Sequence, residues 1–224
     1  MDLLAAVRRG LAALGDAKKA PQMQAYMKSA MPFRGVPTPA RVKLMKGLLA
    51  THAPRDRETW ESTVRALWDG ASHREERYAA IDLCAHRSAR SWQDPATVPL
   101  YEHLIVDGAW WDHVDAVAIH LVGPILRGHP AEVAPTIRRW ATDEDRWRRR
   151  AAVIVQNGAR AETDTGLLTF AIEANADDGD FFLRKGIGWA LREYAKTDPQ
   201  WVWAFVAEHD LAPLSRREAT KHLT

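Results

Sequence analysis

The sequence predicts an all-α fold, a curved solenoid of stacked helix pairs, and three observations point there. Runs rich in Ala, Leu, Arg and Glu recur at helical spacing, and alternating strand patterns are absent. Proline punctuates them: Pro32, Pro37, Pro39, Pro54, Pro95, Pro99, Pro130, Pro135, Pro199 and Pro213 fall mostly between apolar-periodic segments. Finally, Arg77-Tyr-Ala-Ala-Ile81, Asp115-Ala-Val-Ala-Ile119, Arg150-Ala-Ala-Val-Ile154 and Lys185-Gly-Ile-Gly-Trp189 lie in register at roughly 35–38-residue spacing, near the range of two-helix repeats. Each places a polar residue first, then small residues, then a large apolar one. Small residues let helices approach closely, and a pair that cannot bury its face alone stacks on the next.

The elements follow in order. Leu3, Leu4, Val7, Leu11 and Leu14 share one side of the opening segment, which reads as a first amphipathic helix rather than a signal peptide. Thr38 is expected to N-cap a helix with Pro39 at its first position. Asp94-Pro95 and Thr197-Asp198-Pro199 suggest further helix starts. The 224 residues, 46% hydrophobic, read as one domain over 1–224. Ten tryptophans is a high count, and Trp60, Trp68, Trp92, Trp201 and Trp203 read as filler between helices. The single cysteine, Cys84, allows no internal disulfide and belongs to no metal-ligand spacing. A reducing, cytoplasmic setting is therefore expected, with no metal and no cofactor. No stretch is long and apolar enough to cross a membrane.

The formal net charge of +2 argues only weakly for a nucleic-acid partner, so distribution matters more. The repeat register puts Arg77, Asp115, Arg150 and Lys185 on one face of successive second helices, the face that lines a solenoid's concave side. A cationic groove suits duplex DNA. A carboxylate there would repel phosphate. An ordinary aspartate would be solvated or would pair with a neighbouring arginine; the other reading is chemical. Trp111 lies four residues before Asp115, and Lys185 four before Trp189, so aromatic and charged side chains share helix faces. A carboxylate held between indoles could stabilise a cation. The densest positive charge is Arg138-Arg139-Trp140 followed by Arg146-Trp147-Arg148-Arg149-Arg150, part of which reads as solvated helix face.

Four stretches carry a more specific likeness: Tyr26 to Pro39, Trp110-Trp-Asp-His-Val-Asp115, Trp147-Arg-Arg-Arg-Ala-Ala152 and Phe181 to Tyr194. Through them the sequence resembles the DNA alkylation repair enzymes of the AlkD type along essentially its whole length. The resemblance implies a superhelix of HEAT-like repeats with a basic concave groove. It implies a glycosylase that releases cationic N3- and N7-alkylpurines from duplex DNA, leaves an abasic site and does not enclose a flipped base. By motif, Trp111, Asp115 and Trp189 take the roles at the lesion, and Arg150 secures the nearby backbone. Lys185, Arg149, Tyr26, Thr38 and Arg41 are expected to assist DNA binding. His113 is given no catalytic role. The chain is expected to act as a monomer. The alternatives are a non-catalytic binder of unusual or damaged DNA and a protein-interaction scaffold.

Overall fold

The computed structural model describes residues 2–223. Every regular element among them is helical, as the periodicity predicts. The chain divides into two compact units, the first ending at Gln93 and the second beginning at Asp94.

The first unit contains α1 (Leu3–Ala13), α2 (Ala20–Met27), α3 (Thr38–His52), α4 (Arg57–Trp68) and α5 (Arg74–Ala85). A 3₁₀ turn, Arg87–Trp92, closes it. Leu3, Val7 and Leu11 of α1 are buried, whereas Leu14 lies past the helix end and is exposed. The start of α3 differs by one residue from expectation. Thr38 is already helical, Pro37 occupies the N-cap and Pro39 lies one position further in. Pro39 still falls in the first turn, where a missing N–H is cheap.

The loop before α3 is held by a buried carboxylate. Glu75, fully buried, accepts the backbone N–H groups of Arg34, Gly35 and Val36 at 2.9–3.1 Å. Gly35 has φ +82°, and a Cβ there would meet the Asp16 carbonyl at 2.2 Å. The neighbouring Glu76, also fully buried, takes Arg8 at 2.9 Å. Neither glutamate was singled out by the sequence pattern.

The second unit contains α6 (Val98–Gly108), α7 (Trp111–Val117), α8 (Gly123–Gly128), α9 (Pro130–Ala141), α10 (Arg146–Ile154), α11 (Thr165–Glu173), α12 (Phe181–Tyr194), α13 (Pro199–Glu208) and α14 (Pro213–Thr220). The helices pair in chain order: α6 packs on α7, α9 on α10 and α13 on α14. The second members stack in turn, α7 on α10, α10 on α12 and α12 on α14. The four register segments fall on α5, on α7 and its continuation, on α10 and on α12. Aspartates begin several helices: Asp145, Asp164, Asp180 and Asp198 each accept first-turn N–H groups of α10 to α13. They satisfy donors that the helices cannot pair internally.

Trp60 and Trp68 are fully buried, and Trp92 packs beside Trp60 with ring centroids 5.6 Å apart. Trp201 packs against Tyr194 and Phe205. Trp203 departs from the filler reading and is 47% exposed. Trp140 and Trp147 serve as core instead.

Candidate active-site cleft

Asp115 stands in the last turn of α7. Beyond Val117 the helix continues through a π turn, Ala118–Val122, into α8. Pro124 explains the irregularity. It has no N–H to return to the residue four before it, and a wider turn accommodates the loss. Gly123 completes the arrangement, since a Cβ there would meet the Val155 carbonyl oxygen at 2.6 Å. Its absence lets the π turn press against the end of α10.

Across from Asp115, Arg150 of α10 grips the carboxylate with both edges of its fork. Its Nε donates to Oδ1 at 2.7 Å and its Nη2 to Oδ2 at 2.8 Å. Its remaining nitrogen, Nη1, donates to the Phe182 carbonyl in the first turn of α12. Gly186 leaves room for this guanidinium, because a Cβ there would sit 3.2 Å from Nη1. The side chains of Arg150 and Asp115 are only 6% and 14% exposed. Burial pushes the Asp115 carboxyl above its ordinary value; Arg150 opposes the rise and nearby Asp112 adds to it. Trp110, Trp147 and Phe182, from the ends of the same elements, form an aromatic cluster with ring centroids 5.0–6.1 Å apart.

Asp115 and Trp189 line the same cleft, about 520 Å³ in volume. Ile119 and His120 of the π turn, Arg127, Asn157, Gly158 and Glu193 complete much of its wall. Trp111 opens α7 one turn before Asp115; it is half-buried and is not among the cleft-lining residues. His113, on the buried side of α7, is fully buried, with Nδ1 3.4 Å from the Gly108 carbonyl.

The structure gives the expected DNA-binding cations protein partners. Lys185 reaches Glu218 at 2.8 Å, and Arg192 reaches the same carboxylate at 2.7 Å. This double pairing holds the Glu218 carboxyl down at about 2. Arg149 pairs with Asp178 at 3.0 Å. In the first unit, Arg41 is buried, bonded to Asp82 at 2.7 Å and placed over the Tyr78 ring. Tyr26, 77% exposed, and Thr38, also exposed, remain open to solvent. The register thus located Lys185 but not the carboxylate facing it, while Arg149 and Arg41 were expected from the resemblance alone. Glu218 lies 33 residues from Lys185, short of the 35–38-residue register, so the pattern did not pick it out.

No group of His, Cys, Asp and Glu side chains suited to a metal occurs among the described residues. No helix among them is long and apolar enough to cross a membrane. The family model for DNA alkylation repair enzymes matches residues 7–223. The chain belongs to that family. A solved structure described as a predicted DNA alkylation repair enzyme from Enterococcus faecalis is similar throughout, with 33% identity and a TM-score of 0.84. The similarity covers 94% of this chain and 97% of that one. Comparison with curated proteins finds no match. Membership of a DNA alkylation repair enzyme family makes DNA the substrate.

Proposed function

We propose that this family member is a monofunctional DNA glycosylase of the AlkD type, with HEAT-like repeats. In this reading it hydrolyses the N-glycosidic bond of cationic N3- and N7-alkylpurines in duplex DNA and leaves an abasic site. The supporting observation is a single one: a largely buried carboxylate, Asp115, is fixed by Arg150 on the wall of an open cleft that also presents the indole of Trp189. An alkylated purine already carries positive charge and leaves without protonation. What remains is to stabilise the sugar as its anomeric carbon becomes cation-like. Asp115 supplies the opposing charge in a poorly hydrated place. Trp189, and Trp111 one turn from Asp115, offer π-faces to the same developing cation.

The proposed reaction needs no cofactor and no metal, and the whole chain acts as one repair domain and as a monomer in the cytoplasm. DNA is gripped through its backbone by Arg150, Arg149 and Lys185 in the second unit and by Tyr26, Thr38 and Arg41 in the first. Several of these cations would share or exchange their present carboxylate partners for phosphate. The base is not enclosed.

The test is release of free base from defined duplexes. N7-methylguanine and N3-methyladenine should be excised, and uracil and hypoxanthine should not. Efficient uracil release would contradict the leaving-group argument, and no release of either alkylpurine would contradict the glycosylase reading.

A further inference from the structure

Asn157 lies in the turn after α10 and carries a carboxamide that the scheme above does not use. The residue is only 7% exposed, and its Nδ2 is buried without a hydrogen-bond partner. It lines the cleft together with Asp115 and Trp189. It also borders a small cavity of about 10 Å³ shared with Gln156, Thr163 and Glu193, close to the volume that roughly one water requires. The surrounding turn is fixed. The Gln156 amide donates to the Asp164 carbonyl at 3.0 Å and accepts the Asp164 N–H at 2.8 Å. Gly158 follows with φ +86° and Arg160 with φ +55°. A buried, unmatched amide donor weakens a fold.

Resting on the glycosylase reading, we propose that Asn157 is a positioning residue that, with Asp115, holds the water that attacks the anomeric carbon. Its Nδ2–H donates to one lone pair of the water oxygen, and Asp115 accepts one of the water's hydrogens. Each Asp115 oxygen takes a single Arg150 N–H, so accepting capacity remains. The water's other lone pair forms the bond to the anomeric carbon. As the carbon–nitrogen bond breaks, its electron pair returns to the purine, which leaves neutral. The water's spare proton passes to the Asp115 carboxylate and on to solvent.

Asn157→Leu keeps the shape and removes the donor. The experiment is single-turnover excision of N7-methylguanine in buffer with added methanol, with abasic and 1′-O-methyl products quantified. DNA affinity and melting temperature are recorded alongside. The expected result is a rate lower by about 10²-fold, the scale of one proton-handling contact. The methanol share should rise severalfold, because the positioned water no longer wins. DNA affinity should stay unchanged and the melting temperature should hold or rise. A wild-type product ratio in Asn157→Leu overturns the proposal. If affinity also falls at that ratio, the amide binds a backbone oxygen; if the melting temperature falls, its role is structural. A wild-type protein that excises nothing instead defeats the glycosylase reading on which the proposal rests.

Discussion

Asp115 and Arg150 are 35 residues apart and meet through two hydrogen bonds in a largely buried setting. Removing the arginine strands a carboxylate away from water. Arg150→Ala should therefore destabilise the protein by about 3–5 kcal/mol, the usual cost of breaking a buried pair from one side. Urea denaturation measures it, and a loss within a few tenths would show that the pair is not buried in solution. The consequence for DNA work is practical: weaker binding by Arg150→Ala would mix loss of the proposed phosphate contact with loss of fold. The pH dependence follows from the raised Asp115 carboxyl. Protonation would remove the charge that the proposed reaction uses, so activity should fall on acidification at a higher pH than for an ordinary aspartate. The sign for stability is opposite: a raised folded-state value favours the fold below the unfolded aspartate value, and that contribution is lost as pH rises through the raised one. Asp112→Asn removes one cause of the rise. It should leave the plateau rate near wild type and move the acid limb of the pH–rate profile downward. An unmoved limb would mean that Asp115 does not set it.

Among the elements, the helix from Trp111 to Gly128 decides the shape of the cleft. Its helical nature, its aspartate and the repeat register were legible because periodicity and spacing survive in the sequence. The π turn was not, since the segment Ala118–Val122 has ordinary helical composition and only Pro124 hints at the extra width. The close approach of Gly123 to the Val155 carbonyl depends on packing between segments far apart in sequence, which no local pattern encodes. Gly123→Ala should destabilise by roughly 1–3 kcal/mol as the two backbones are forced apart, and thermal unfolding would show it. A neutral result would mean that the helix relaxes at no cost and that the glycine is not what fixes the cleft. The Asn157 turn was equally hidden, because an asparagine before a glycine reads as an ordinary loop.

For the molecule as a whole, the near-neutral formal charge of +2 has a structural counterpart in the carboxylates facing Arg41, Arg149, Arg150 and Lys185. The register predicted three cations and one carboxylate on a shared face, and spacing alone could not reveal how many of the cations were already paired. Glu218 is the clearest control. Its carboxyl, lowered from 4.5 to about 2, contributes stability above its unfolded value that is lost as pH falls toward about 2. Glu218→Gln frees Lys185 and Arg192, so DNA affinity should rise and the log–log salt slope should steepen by roughly one unit. An unchanged slope would place these cations away from the phosphates.

Asp115 carries the chemical step in the proposed reaction. The measurement is the single-turnover rate of N7-methylguanine release from a duplex with one lesion, for wild type and Asp115→Asn at saturating protein. The amide keeps the shape and removes the charge, so the rate should fall by roughly 10²–10³-fold, as when one transition-state stabiliser is lost, with DNA binding intact or tighter. Excision by Asp115→Asn at the wild-type rate would contradict it.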